Sequence, residues 1–145
     1  MRDKISEYIR SDTGSNSQIE LIVKVYNGAI NNLSRARRSI QSGDISSGYQ
    51  AFEDSKKFLV HLYTTLNMEK GGEIAQNLSS LYSFLINEIN LVQASRDLKQ
   101  LDEIMAILSN VKEGWMELSQ QSKSKQSENK GVSTANTNKS LSISA

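Results

Sequence analysis

The chain carries one histidine, His61, and no cysteine. A di-iron carboxylate bundle needs Glu-x-x-His pairs on two helices. Here Phe58 stands three residues before His61, so even one pair is missing. A zinc site would rest on a single imidazole plus carboxylates, which is not the usual donor set. His61, beside Leu62, therefore reads as a surface or boundary residue. Ser79-Ser80 has no base near it in sequence, and one histidine is a thin basis for a triad. Gly71-Gly72 precedes a helix, whose N-terminus can attract anions. No Lys-Ser or Lys-Thr pair follows, so the glycines read as a helix–helix turn. Glu69, Glu73 and Glu88 are spread along the chain rather than paired for acid–base work. Arg35, Arg37 and Arg38 form the densest basic run, a solvated face near a helix C-terminus where positive charge suits the dipole. No catalytic, cofactor-binding or metal-binding residue is expected. What is left is the chemistry of contact: apolar stripes, aromatic rings and amides.

The elements that would position such contacts follow from bulk properties. A chain of 145 residues fits one domain. The net charge of +1, with both signs interspersed, argues against nucleic acid or an anionic membrane as the main partner. The lack of cysteine suits a reducing compartment. Met1 to Asn16 shows no apolar core of a signal peptide. No apolar run approaches the roughly 20 residues that span a bilayer. The expected location is the cytoplasm. Proline is absent, which favours long helices with glycine-punctuated connections. Period-two runs of β-branched residues are not found.

Four segments carry a helical period. In the first, Ile19, Ile22, Tyr26, Ala29, Leu33, Ala36 and Ile40 recur at alternating threes and fours, the seam of a bundle helix. Ser17-Gln18-Ile19-Glu20 has the form of a capping box. Gly43 is the expected stop, and Asp44 the next N-cap. The second segment sets Ile45, Phe52, Leu59 and Leu66 seven apart, with Tyr49, Leu62 and Tyr63 between. The third sets Leu78, Leu85 and Val92 seven apart, with Ile74, Leu81 and Ile89 between. The fourth runs Leu98, Leu101, Met105, Leu108, Val111, Trp115 and Leu118 after a cap at Asp97. Each helix is expected to run about 22–25 residues, roughly 35 Å. Short connections make sequential helices antiparallel. The fold expected is all-α, an up-down-up-down four-helix bundle over residues 17–119.

Some apolar residues lie off these seams. Leu21 and Val25 form a second stripe on the first helix, and Phe84, Ile86 and Leu91 lie beside the third seam. They are either a groove for a partner or a wider core stripe. Trp115 falls on the seam, as core or as an anchor. Residues 1–16 are polar except for Ile5, Tyr8 and Ile9, a cluster that could pack on the bundle or cover a groove. Residues 120–145 are rich in Ser, Lys, Gln, Asn and Thr and are expected to be disordered.

Five stretches occur in one order. Tyr8 stands nine residues before Ser17, which leads into Gln18-Ile19-Glu20-Leu21. Val25-Tyr26-Asn27-Gly28 follows, then Leu62-Tyr63-Thr64-Thr65-Leu66-Asn67. Next comes Gly-Gly-Glu-Ile-Ala-Gln-Asn-Leu-Ser-Ser-Leu-Tyr from Gly71 to Tyr82. Leu101-Asp102-Glu103-Ile104 and Trp115 close the series. In these the chain resembles the FliS family, the cytosolic chaperones that hold flagellin before export. It departs from the family pattern where Gln18 stands for Pro and Val25 for Leu. Asn87-Glu88 replaces an Arg pair, and Val92-Gln93 replaces Ala-Asn.

The resemblance implies that the bundle binds the C-terminal segment of flagellin, disordered when free and laid in helical pieces into apolar grooves. It implies that binding prevents premature polymerisation and delivers the client to the flagellar export gate, with no nucleotide or metal. It also implies that the N-terminal segment can lie over part of the groove. Client contact is expected at Tyr8, Leu21, Val25, Tyr26, Leu66, Asn67, Asn77, Leu81 and Tyr82. For the apolar members the competing role is core packing, and for Asn67 and Asn77 it is helix capping. The free protein is expected to be a monomer or weak dimer. The alternative is a helical adaptor or regulator of another flagellar or export component, working through the altered face of helix three.

Overall fold

A computed structural model describes residues 15–135, with side-chain environments for residues 17–121. Four helices run in order: α1 (Ser15–Gln41), α2 (Ile45–Thr64), α3 (Met68–Ser95) and α4 (Leu98–Ala135). They form the expected antiparallel four-helix bundle. Helix α1 packs against α2 and α4, and α3 packs against α2 and, least closely, α4. The diagonal pair α1 and α3 meets through long side chains across the core.

Each connection is tied off by local chemistry. After α1, Gly43 adopts φ +83°, a conformation that glycine takes without a Cβ penalty. Its N–H donates to Ile40 and that of Asp44 donates to Ser39, the paired bonds of a Schellman ending. The Asp44 carboxylate then accepts from the Ser47 N–H at 3.1 Å and caps α2, as expected. Asp97 accepts from the N–H groups of Lys99 and Gln100 and opens α4.

Two helix starts differ from the sequence reading. Helix α1 begins at Ser15, so Ser17 lies inside its first turn and does not cap it. Helix α3 begins at Met68, with the Asn67 side chain accepting from the Lys70 N–H at 2.9 Å. The glycine pair is thus not the loop itself. Gly72, at φ 52° and ψ −128°, breaks the path between one capped turn and the long body of α3. That backbone region is essentially reserved for glycine. Helix α4 is also longer than expected, 38 residues, and continues beyond Leu118. The stretch from 136 onward lies outside the described residues.

The core is one cluster built on Tyr26, Leu33, Phe52, Leu59, Leu85, Ile89, Leu101 and Leu108. The seam of α1 is as read from the sequence. Those of α2 and α3 hold at most positions, Phe52, Leu59 and Leu62 on α2 and Leu78, Leu85, Ile89 and Val92 on α3, and fail at others. On α2 the inward positions are Gly48, Ala51, Phe52, Ser55, Phe58, Leu59 and Leu62, while Ile45, Tyr49 and Tyr63 are exposed. On α3 they are Ala75, Leu78, Tyr82, Leu85, Ile89 and Val92, leaving Ile74 exposed. His61 is a further correction: it is 4% exposed, inside the bundle rather than at its surface. Helix α2 is covered from both the α1 and α3 sides, so its buried arc is wide enough to include that position. Gly28 permits the close α1–α2 approach. A Cβ built there would stand 2.5–2.8 Å from the Phe58 ring.

Candidate binding groove

Helix α3 starts with one capped turn before the break at Gly72. Beside it, at one end of the bundle, lies a groove of about 510 Å³. Gln18 and Ile22 of α1 form one wall. Leu62, Thr65, Leu66 and Asn67 come from the end of α2 and its connection. Lys70, Gly71, Ile74, Ala75, Leu78 and Tyr82 come from α3, and Trp115 from α4. The lining is mostly apolar with amide and hydroxyl groups at its edges, a surface that binds by burial and orients by a few polar contacts.

The floor is aromatic and tied together. The Tyr26 and Tyr82 hydroxyls share a short hydrogen bond. The Trp115 indole N–H donates to the Tyr26 hydroxyl at 3.3 Å. Three helices are therefore joined at one point. Burial raises the Tyr26 hydroxyl above the usual tyrosine value, although its bonds to Tyr82 and Trp115 pull the other way. Burial also raises Tyr82, and the neighbouring Tyr26 adds to the shift. Both stay protonated at any ordinary pH. Nearby, Lys112 donates to the Asn27 side chain at 3.0 Å and joins α4 to α1.

A second feature adjoins the groove. On α3, Ile74, Asn77, Leu81, Phe84, Glu88 and Leu91 follow a strict three-four spacing. Ile74, Phe84 and Leu91 are 68, 50 and 57% exposed. Four of six positions are apolar, a second heptad stripe beside the core seam, of which Leu81 is partly buried against the core. Ile74 belongs to both the groove and this stripe. Glu88, one of the departures from the family pattern, accepts from Gln100 of α4 at 2.9 Å. Ion pairs lie elsewhere, among them Arg35 with Asp54 at 2.8 Å and Arg37 with Asp102 at 2.7 Å.

The residues singled out from the sequence divide sharply. Leu66, Asn67 and Tyr82 line the groove. Asn77 is exposed on the outer stripe of α3, and Leu81 is partly buried against the core. Leu21 is partly buried on α1 and does not line the groove. Val25 and Tyr26 are core residues, 3 and 0% exposed. Val25 therefore does not form the open second stripe expected of it, because α1 is covered by α2 on one side and α4 on the other. Tyr8 lies outside the described residues. Ile22, Leu62, Ile74, Leu78 and Trp115 line the groove without having been named for it. Their apolar character at seam positions was visible, but a groove arises where a seam runs past the end of its partner helix.

Among the described residues, no cluster of His, Cys, Asp and Glu could hold a metal ion, and no helix is long and apolar enough to cross a membrane. Fold and site together give a four-helix bundle with a mostly apolar groove at one end and exposed apolar residues along α3. The family model for "Flagellar protein FliS" matches residues 1–122, and the chain belongs to that family. It is 33% identical over 112 residues to the flagellar secretion chaperone FliS of Salmonella typhimurium (strain LT2), covering 77% of this chain and 83% of that one. It is 28% identical over 119 residues to the FliS of Vibrio cholerae, with 79 and 88% covered. With the flagellar secretion chaperone FliSB of Pseudomonas aeruginosa it shares 30% over 105 residues, with 72 and 81% covered.

Proposed function

We propose that this protein is a cytoplasmic export chaperone for flagellin. It binds the C-terminal segment of flagellin, keeps it from polymerising early, and hands it to the flagellar export gate. It works without cofactor or catalysis. The observation that carries this reading is the apolar groove continuing through Ile74 into the outer stripe of α3. An amphipathic helix of the client fills such a surface by matching apolar residues at three-four spacing. Leu66, Tyr82 and Ile74 would contact its first turns, and Leu81, Phe84 and Leu91 the turns beyond. Asn67 and Asn77 stand at the rim. Leu21, Val25 and Tyr26 act behind this surface, holding α1 in place. Tyr8 belongs with the N-terminal segment that would lie over the groove before the client arrives. Ordering the client costs about 2–5 kcal/mol or more, offset by the apolar area buried.

The test is titration calorimetry of the protein with the C-terminal segment, about 50 residues, of a flagellin from its own organism. Saturable one-to-one binding with a large negative heat capacity change is expected. Ile74→Asp puts a charge on an exposed groove residue, so it should weaken binding at least tenfold, about 1.4 kcal/mol, with the fold intact. Absence of binding by the folded wild type would overturn the reading in favour of an adaptor for another component.

A further inference from the structure

Helix α3 is poor in charge. Between Glu73 and Arg96 it carries one charged side chain, Glu88. The solvent face of a bundle helix is ordinarily charged and polar. Here the exposed positions include Phe84 and Leu91, with only amides such as Asn77 and Asn87 for polarity. Glu88 sits within the outer stripe, four residues after Phe84 and three before Leu91. It is partly buried and its partner is neutral: the Gln100 side chain of α4 donates to it at 2.9 Å. Among the described residues, no lysine or arginine pairs with it. Glu103 adds an exposed carboxylate three residues after Gln100, on the same side of α4. Lys99 is exposed and forms no ion pair with either carboxylate. A helix lying on both Phe84 and Leu91 must pass over the residue between them. Glu88 then loses the water on its open side, and a carboxylate covered without a cation is costly. A Lys or Arg on the docking helix removes that cost, and an apolar or acidic residue does not.

We propose that Glu88 selects the charge of the client: the flagellin helix that lies on the outer stripe places a Lys or Arg over Glu88, between the apolar residues that meet Phe84 and Leu91. On a helix, that position is three or four residues from each of its two apolar neighbours. The client motif is therefore apolar, basic, apolar at three-four spacing. Apolar matching alone tolerates a slide along the stripe. The charge pair does not, because a slide puts an apolar side chain over the carboxylate. The inference rests on the client reading above and adds to it a charge and a register.

The test titrates the full chain with the flagellin C-terminal segment by calorimetry. Glu88→Gln keeps an oxygen for Gln100 and removes only the charge. It is expected to bind about three- to tenfold more weakly, and its affinity should fall less with added salt than that of wild type. Glu88→Lys should bind at least about tenfold more weakly, because it sets like charges together. The lysines and arginines of the segment are then replaced one at a time by Glu. One replacement should weaken binding to wild type and restore binding to Glu88→Lys. Equal affinity of wild type, Glu88→Gln and Glu88→Lys would overturn the proposal and leave the client reading standing. So would a loss in Glu88→Lys that no replacement restores, because Glu88 would then act only through Gln100 and the placing of α4. No binding by the folded wild type would remove the client reading, and this inference with it. Should Glu88→Lys not fold, double-mutant cycles between Glu88→Gln and the segment replacements decide. Coupling at one basic position supports the proposal, and coupling at none overturns it.

Discussion

Two faces of α3, one residue apart in sequence, have opposite fates. The inner face, Ala75, Leu78, Tyr82, Leu85, Ile89 and Val92, closes the core. The outer face, Ile74, Asn77, Leu81, Phe84, Glu88 and Leu91, keeps the same spacing but is mostly exposed, with Leu81 packed at the core's edge and Glu88 bonded to Gln100 of α4. A shift of one residue turns a helix by about 100°, so the two stripes are neighbours on one cylinder. They differ in location and, less, in composition, for the outer stripe carries Asn77 and Glu88 among its apolar residues. The inner stripe is stabilised by burial within this chain. The outer stripe leaves Ile74, Phe84 and Leu91 at least half exposed.

The largest effect expected concerns a residue that the sequence placed on an outer stripe and the structure places inside. Val25→Asp puts a carboxylate among core side chains. Burying an unpaired charge costs several kcal/mol, enough to consume much of the stability of a domain, about 5–15 kcal/mol. Thermal unfolding followed by circular dichroism should show a midpoint far below wild type, or no cooperative transition. A bundle of native stability would show that Val25 is as open as an outer-stripe residue.

The next comparison is direct. Leu85 is fully buried and Phe84 is half exposed. Leu85→Ala should cost about 2–5 kcal/mol in denaturant unfolding. Phe84→Ala should change stability by about 0.5 kcal/mol or less while weakening client binding measurably. If Phe84→Ala destabilised as strongly, the outer stripe would be packed and not waiting.

This pair also shows how far the sequence could be read. Helix number, order and antiparallel arrangement follow from period and glycine placement. The caps at Asp44 and Asp97 are local chemistry, legible from a few residues. The facing of α3 was legible at Leu78, Leu85, Ile89 and Val92 but not at Ile74, which is apolar and at seam spacing yet lies beyond the core at the end of the bundle. On α2 the inward positions include Gly48, Ala51 and Ser55, small residues that carry no apolar signal yet allow close helix approach. Likewise Gly28 gave no hint of Phe58, since that contact joins residues 30 apart. Tyr82 was named for client contact, but its tie to Tyr26 and Trp115 exists only once three helices are assembled.

The break at Gly72, beside the groove, gives a smaller effect. Gly72 has a backbone that L-residues avoid, and a Cβ there would meet nothing within 4 Å. Gly72→Ala is therefore a test of backbone conformation alone. It should cost about 1–3 kcal/mol or drive the segment into continuous helix and reshape the groove. Client affinity should fall more than that of Phe84→Ala, because every contact of the first turn moves together. Unchanged stability and affinity would show that the break does not hold the groove open.

The smallest effects are those of pH, and they separate the buried hydroxyls of the inner face from carboxylates on the surface. Tyr26 and Tyr82 keep their protons above the usual value of 10.0. Their contribution is complete below that value. It fades above about pH 10, where the unfolded chain releases protons that the folded chain retains. Stability should then fall by at most about 1.4 kcal/mol per pH unit for each group, and Tyr82→Phe should make the alkaline limb shallower. On the acid side the sign reverses. Arg37 holds Asp102 below its usual 3.8, and Lys56, with help from Gln93, holds Glu53 below 4.5. Their contribution is present above those values and is lost as pH falls through the lowered ones. Asp102 is exposed, and Glu53 partly so, and solvent-facing pairs are weak and screened by salt. The melting temperature should therefore decline only slightly just below about pH 4, and raising the salt concentration should shrink that decline. The alkaline limb should survive the salt, because a hydroxyl kept protonated by burial owes little to ions in solution. A salt-sensitive alkaline limb would mean that water reaches Tyr82, and the inner face would then be less closed than its spacing and burial make it.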